Sequence, residues 1–380
     1  MKIVVLAFNR QEATIRCLQS VVREINGCEE VTLLLSCDGG HALDTSILES
    51  GFERANRLEI RVNEKQLGLK EHVHLVIEMC AVGSQPFLIL EDDLVLIPGA
   101  MSYACRTLEL ASSIDRVAQI SLYNFQFNEI ARCPTYRPRT AWPFFLCRQA
   151  SSWGFLITPK MARQYLDWYE YADKNWQLVP DEIRKWPASS WKKEFDLYIA
   201  QNRGVVIAPY QSFALNMGDT GFHKRSTNHY TYSLPANSTF VLDDMPSSIK
   251  ELLVLDEYLE IEHHPSLAEI SVCGIPADHM DIDFYGLKTS ASFRKNYVLT
   301  TVPQGRYIHG LELFAADLLV SLEYQKPGHD LQVVETSCYR ARPAAVSKAK
   351  NLLRSTFYWS RKSLVVSFML DLVVRRWRGR

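Results

Sequence analysis

Three acidic side chains in succession, Glu91-Asp92-Asp93, close an apolar run, Phe87-Leu88-Ile89-Leu90. Carboxylates crowded at the end of a buried segment repel one another and lose hydration, and both costs fall when a cation sits among them. A hard divalent ion with oxygen ligands, Mg2+ or Mn2+, meets that need and leaves positions open for phosphate oxygens. Bridging a diphosphate, it would screen the charge that develops on a departing nucleoside diphosphate. A second group, Ser36-Cys37-Asp38-Gly39-Gly40-His41, offers a carboxylate that can accept from a nucleobase imide or a ribose hydroxyl, with glycines that permit close approach. Arg10, after Ala7-Phe8-Asn9, has the planar fork that matches phosphate. Lys70, just past Gly68, is a further cation for the same purpose. Each also has an ordinary role, as an acidic turn, an Asx turn or an exposed first-turn cation.

A hydroxyl that attacks a sugar carbon needs a general base. Trp191-Lys192-Lys193-Glu194-Phe195-Asp196 holds two candidates. On a helix Glu194 and Asp196 project about 200° apart, so one at most faces a site. His223 lies in the polar, glycine-containing stretch 216–229, which reads as a lid, and is a candidate metal or phosphate contact. Trp153-Gly154 offers an aromatic face for a sugar ring, or equally a core tryptophan.

These groups need elements to position them. Residues 2–6 and 31–35 are nearly continuous apolar runs, as in strands buried on both faces, and 58–62 and 86–90 make two more. Between the first two, residues 11–25 carry Ile15, Leu18, Val21, Val22 and Ile25 at helical spacing, and a second helix is expected over 70–80. Strand and helix in alternation predict a parallel sheet with right-handed crossovers, whose ligands gather at the carboxyl ends of the strands. AFNR, SCDGG and EDD all fall at such ends. Helices are expected over 103–111, 159–171 and 193–201, and strands over 117–122, 151–157 and 204–209, with an aromatic and proline-rich loop over 123–145. The domain expectation is 1–240, in halves 1–115 and 116–240, then an α+β segment 241–340 and a basic tail 341–380.

Apolar residues make up 47% of the 380 and charged residues 22%, the composition of a folded chain. A net charge of −1 excludes a protein that holds nucleic acid by bulk positive charge. The balance is uneven: from Arg340 onward eleven basic residues face one acid, Asp371. With its aromatics and the short apolar run 364–374, this tail reads as a basic amphipathic helix for an anionic membrane surface, or as one docked on the protein body or a partner. Nine cysteines at irregular spacing, none in CxxC, suit neither a disulfide framework nor a zinc site and suggest a reducing compartment. The N-terminus reads as a first strand, not a signal peptide. The expected location is cytoplasmic, peripheral at the inner face of the cell membrane.

In that order, LAFNR, SCDGG, NEKQLGL and LILEDDLVLIPGA resemble glycosyltransferases of the GT-A fold, above all family 2 and the relatives of N-acetylglucosaminyltransferase I, which share the EDD form of the metal motif. The resemblance covers about residues 1–230. It implies a Rossmann-like, mostly parallel α/β sheet, a nucleotide-diphospho-sugar donor and an Mn2+ or Mg2+ ion. It implies Asp93 as the ligand of that ion, Glu91 and Asp92 around the ribose and diphosphate, and Asp38 at the base. Ala7, Asn9, Arg10, Gly68 and Lys70 would line the same nucleotide-sugar site. SSWGFLITPKMA resembles the acceptor-side strand and helix, which places Trp153 and Gly154 beside the acceptor.

Counted back from Gly204, the N-acetylglucosaminyltransferase I spacing lands on Glu194 as base. The family-2 spacing lands instead on Lys192 and Lys193, and Asp196 is the second candidate. NMGDTGFHKRS resembles the segment that closes over bound donor, with His223 its functional residue. The implied activity is metal-dependent, inverting transfer of a hexosyl or N-acetylhexosaminyl group to a glycan or lipid-linked hydroxyl, in surface polysaccharide or glycolipid synthesis. Two other classes compete. A sugar nucleotidyltransferase is disfavoured because AFNRQE lacks the glycines of a GxGxR-type loop. A non-catalytic glycan-binding scaffold is favoured by the two lysines.

Overall fold

The computed structural model describes residues 1–25, 31–39, 43–44, 58–217, 246–314 and 317–357. The chain forms two compact units: Met1–Gln126 with Arg139–Leu259, and Phe127–Pro138 with Glu260–Arg380.

The first unit opens with β1 (Lys2–Ala7), α1 (Gln11–Ile25), β2 (Thr32–Cys37), β3 (Leu58–Val62), α2 (Leu69–Val82), β4 (Phe87–Glu91), β5 (Leu94–Leu96), α3 (Ala100–Ser113) and β6 (Val117–Ser121). Two short strands, β7 (Phe127–Asn128) and β8 (Cys133–Pro134), belong to the second unit. The first unit resumes with β9 (Phe144–Cys147), β10 (Phe155–Ile157), α4 (Pro159–Tyr171), α5 (Asp181–Arg184), α6 (Trp191–Asn202), β11 (Val205–Pro209), β12 (Ala214–Asn216) and β13 (Val254–Leu255). Its main sheet runs β13-β9-β11-β6-β10-β4-β1-β2-β3. β1 pairs in parallel with β2 and β4, and β2 with β3, while β10 runs antiparallel between β4 and β6.

The apolar runs become central strands because helices cover both faces. Ile3 through Ala7 and Phe87 through Leu90 are all buried. α1 turns Ala13, Cys17, Leu18 and Val21 inward, and α2 does so with Val73, Val76, Ile77 and Cys80. β3 is the edge strand, half-buried to exposed along its length, where Lys2 Nζ lies 2.9 Å from Glu59 Oε2. From β1 the chain steps outward through β2 to β3, then returns to the other flank of β1 as β4. The crossovers therefore diverge at the carboxyl ends of β1 and β4, where such sheets leave a crevice.

The expected α/β sheet is present, with local differences. The second strand continues to Cys37 and the fourth to Glu91, so Asp38 and Asp92 lie one residue beyond strand ends. Of the strand expected over 151–157 only Phe155–Ile157 forms, because Gly154 takes φ +79°. The loop expected over 123–145 passes through the second unit before returning as β9. The start of the expected lid is strand: Asn216 ends β12, which pairs antiparallel with β5. Residues 218–245 lie outside the described residues.

The second unit is α+β. β14 (Ile261–His263), β15 (Ser271–Val272) and β16 (Ile275–Pro276) are short; β17 (Met280–Asp283), β18 (Tyr297–Thr300), β19 (His309–Leu311), α7 (Leu318–Tyr324) and β20 (Leu331–Glu335) follow. The sheet β17-β18-β20-β19 surrounds a buried polar knot. Asp283 accepts from Tyr339 Oη at 2.7 Å and Thr300 Oγ1 at 2.9 Å, and Lys288 pairs with Glu260 at 2.9 Å. α8 (Ala344–Phe357) buries Ser347 and Asn351, and Asn351 Nδ2 donates to the Tyr285 carbonyl at 3.0 Å. The proximal part of the basic tail is thus a helix docked within this unit. Residues 358–380 lie outside the described residues, and no helix among the described residues is long and apolar enough to cross a membrane.

One packing contact gives the fold a pH signature. His72, 2% exposed on α2, meets Ser36 Oγ of β2 through Nε2 at 2.7 Å. Burial pushes its pKa down to about 4, against the opposing pull of Asp38. A histidine depressed in the folded state from about 6.5 contributes stability above pH 6.5 that is lost as pH falls toward 4. From pH 7 to pH 5, urea unfolding should show wild type losing about 2 kcal/mol more than His72→Gln. Parallel losses in the two proteins would remove His72 as the cause.

Candidate functional site

A cleft of 520 Å³ opens at the carboxyl ends of β1, β2 and β4. Its walls include Leu6 to Arg10, Asp38, Gln66 to His72, Glu91 to Asp93, and Ala188 with Ser189. The parallel register that pairs Leu6 with Glu91 brings the two loops side by side.

Arg10 spans the acid pair. Its Nη1 donates to Asp93 Oδ2 at 2.9 Å, and its Nη2 donates to Asp92 Oδ1. Asp92 is almost wholly buried, Asp93 is 8% exposed, and the guanidinium sits at the rim. Among the described residues, Asp92 Oδ2 and Asp93 Oδ1 are buried with no hydrogen-bond partner. Burial pushes the Asp92 carboxyl up to about 6 even though Arg10 pulls it down. Burial, then the charges of Asp93 and Asp92, hold Glu91 well above the usual carboxylate range. One guanidinium does not neutralise three acids, and two buried carboxylate oxygens still lack a partner.

Those oxygens are what a hard cation would use, so the residues fit a divalent ion. No group of three or more His, Cys, Asp or Glu among the described residues is arranged to hold a metal by itself. An ion at Asp92 and Asp93 would therefore complete its shell with phosphate oxygens and water, as Mg2+-type ions commonly do. Asp93 is also fixed from the other side, since its carbonyl accepts from Met217 N at 3.0 Å at the end of the β5–β12 ribbon.

Asp38 serves the wall as well as the cavity. Its Oδ1 accepts from Leu67 N at 2.7 Å and Gly39 N at 3.1 Å, and its Oδ2 from Gly68 N at 2.8 Å. One lone pair on Oδ2 remains for a ligand. The latch requires glycine twice: Gly68 has φ +82°, and a Cβ on Gly39 would fall 2.4–2.6 Å from Lys65 and Asn63 backbone atoms. Ala7, Asn9, Gly68 and Lys70 all line the same cleft.

The candidate bases lie elsewhere. Neither Glu194 nor Asp196 is among the residues lining the cleft. Glu194, in the first turn of α6, is clamped by Lys70 Nζ at 3.1 Å and Lys174 Nζ at 3.5 Å. Burial alone would lower Lys70, but Glu194 outweighs it and the lysine is raised. Asp196 is 1% exposed, accepts from Ala150 N at 2.6 Å and pairs with Lys192 at 3.2 Å. Its charge is committed to the fold. Lys193 Nζ donates to the Arg184 and Trp186 carbonyls at 2.6 and 2.7 Å, closing the turn after α5. That turn leads to Ala188 and Ser189 on the cleft wall; no sequence signal marked this pair.

Trp153 and Gly154 also lie off the cleft. Trp153 packs on Tyr123 at 4.4 Å between centroids, and a Cβ on Gly154 would meet Leu122 and Leu90 at 3.1 Å. His223 lies outside the described residues.

No protein-family model and no curated protein matches this sequence. Among solved structures the chain is similar to residues 1–349 of S. aureus TarS in complex with UDP-GlcNAc, at 12% identity over 60% of this chain and 61% of that one, TM-score 0.39. It is similar to GalNAc-T7 with UDP, GalNAc and Mn2+, at 12% identity over 55% and 42% of the two chains, TM-score 0.39. It is also similar to the mannosyltransferase PcManGT from Pyrobaculum calidifontis with GDP-Man and Mn2+, at 9% identity over 44% and 46%, TM-score 0.32. The chain thus spans about three fifths of the TarS chain it matches. At this level none of these likenesses assigns a role to a residue of this chain.

Proposed function

We propose that this chain is a divalent-cation-dependent glycosyltransferase that takes a nucleotide-diphospho-sugar into the cleft and passes the sugar to a hydroxyl with inversion. One observation carries the reading: two buried carboxylate oxygens without partners belong to Asp92 and Asp93, which line the cleft at the strand ends with Arg10. Mn2+ or Mg2+ held there would supply positive charge for the leaving diphosphate. Every other part is the chain's own. Asp93 with Asp92 holds the ion, and Arg10 offers its fork to phosphate. The free lone pair of Asp38 meets the base or ribose, and the glycine-bearing walls at Gly39 and Gly68 let the nucleotide approach the backbone. Glu194 takes the acceptor proton once Lys70 turns from it toward the donor. Trp153 and Gly154 belong to the acceptor side, and His223 to the segment that closes over the donor.

The donor is a hexosyl or N-acetylhexosaminyl nucleotide and the acceptor a glycan or lipid-linked hydroxyl, used in surface polysaccharide or glycolipid synthesis. Residues 1–240 carry this chemistry. The lysine clamp on Glu194 and the commitment of Asp196 favour one other reading, a non-catalytic scaffold that binds donor without turning it over.

Sugar-nucleotide hydrolysis without acceptor separates the two. With a panel of UDP- and GDP-sugars and Mn2+, wild type should hydrolyse at least one. Chelation by EDTA should abolish that turnover, and Asp93→Ala should lower it about 100-fold, the scale of losing a charge-stabilising group. Hydrolysis that persists in EDTA, or that survives Asp93→Ala, would contradict the reading.

The tail would hold the enzyme at the inner face of the membrane, each basic residue near an anionic surface adding about 1 kcal/mol. Full-length protein should sediment with phosphatidylglycerol–phosphatidylcholine vesicles at low salt and be released at high salt. A chain ending at residue 357 should stay in solution. Equal sedimentation of both would rule the tail out.

A further inference from the structure

The contact between Arg10 and the acid pair has a consequence for the order in which ligands enter. The guanidinium places one nitrogen on each carboxylate and so occupies Asp92 Oδ1 and Asp93 Oδ2. The oxygens left over, Asp92 Oδ2 and Asp93 Oδ1, belong to the same two groups. A dication taken up there while Arg10 stayed would share both carboxylates with a guanidinium already bonded to each of them. The backbone beneath Arg10 is pinned, its carbonyl accepting from Thr14 N at 2.9 Å and Thr14 Oγ1 at 2.8 Å. The side chain is partly exposed, 22%, and lines the cleft. Lys70, the other cation on this wall, is held by Glu194 and by the Ala188 carbonyl at 3.3 Å, so it does not balance the acid pair.

We propose that Arg10 is the resident counter-ion of Asp92 and Asp93, and that it yields them to a divalent cation only when a nucleoside diphosphate offers its phosphates to the guanidinium. Metal and nucleotide then bind as one event, and the metal site is closed to free cation. The proposal rests on the glycosyltransferase reading for the identity of the ligands, and on the fork itself for the exchange. The diphosphate is the group that can satisfy both cations at once: its oxygens complete the shell of the ion and accept the displaced guanidinium. Without it, the fork competes directly with the metal. The lone cation therefore meets an occupied pair of carboxylates, whereas the cation–diphosphate complex meets a pair that is being vacated.

Mn2+ binding to the full chain, followed through the paramagnetic resonance signal of the free ion, tests this without any turnover. Titrations are run alone and with uridine diphosphate or guanosine diphosphate. Wild type should bind Mn2+ weakly alone and at least tenfold more tightly with one of the nucleotides. Arg10→Ala should bind Mn2+ alone at least tenfold more tightly than wild type, and the further gain on adding nucleotide should be smaller than in wild type. Arg10→Lys, which keeps a charge but loses the fork, should fall between them. Thermal melting provides a second readout should Arg10→Ala prove hard to purify. Mn2+ alone should raise the melting point of Arg10→Lys more than that of wild type. Variants that bind Mn2+ alone no better than wild type would overturn the exchange while leaving the metal–nucleotide site intact. If no protein responds to Mn2+ with either nucleotide, the site itself fails, and the exchange with it.

Discussion

Three carboxylates at the end of a buried strand form the constraint that the rest of the first unit accommodates. Burial first, and the charge of the neighbouring acids with it, push Glu91 and Asp92 above the ordinary carboxylate range. The fold answers first with register. β1 lies parallel to β4 with Leu6 opposite Glu91, so the residues just past each strand, Phe8 to Arg10 and Asp92 to Asp93, emerge side by side. Arg10 is then close enough to span the pair. That response is incomplete, since Asp92 and Glu91 remain raised by burial and two oxygens remain without partners. A site that leaves charge unbalanced is one that expects a ligand.

The Asp38 side of the cleft is tied down by backbone bonds. Asp38 ties the end of β2 to the loop before α2 with two backbone bonds and holds Gly39 N with a third, and Gly39 packs so closely on residues 63–65 that no side chain fits. Ala188 and Ser189 are set on the cleft wall by the turn before α6, where Lys193 gathers the Arg184 and Trp186 carbonyls. Lys192 and Lys193, where the family-2 spacing expected the base, are structural supports, bonded to Asp196 and to the Arg184 and Trp186 carbonyls.

Much of the donor side was legible in the sequence because it depends on local signals. Two-faced apolar runs marked the strands, and motifs at their ends marked Arg10, Asp38, Asp92 and Asp93 as residues of one crevice. What sequence could not show is how those side chains spend their bonding capacity. Asp38 reads equally well as a ligand group or an Asx turn, and it proves to be committed mainly to the loop. Glu194 and Asp196 were separable by helix geometry, but only tertiary packing reveals that Asp196 faces Ala150 and that Glu194 meets Lys70 and Lys174. Ala188 and Ser189 reach the cleft through a turn closed by Lys193, a long-range placement with no periodic signature. Trp153 looked like a platform because an exposed and a packed tryptophan share one sequence, and here it packs on Tyr123.

The central claim is that the free oxygens of Asp92 and Asp93 are ligands of a divalent cation. Anomalous diffraction at the manganese edge, from crystals grown with Mn2+ and uridine or guanosine diphosphate, reads this directly. The account predicts an anomalous peak within about 2.3 Å of an Asp93 carboxylate oxygen, bridged to the phosphates. Nucleotide bound in the cleft with the manganese peak on other residues, or with none, would contradict it.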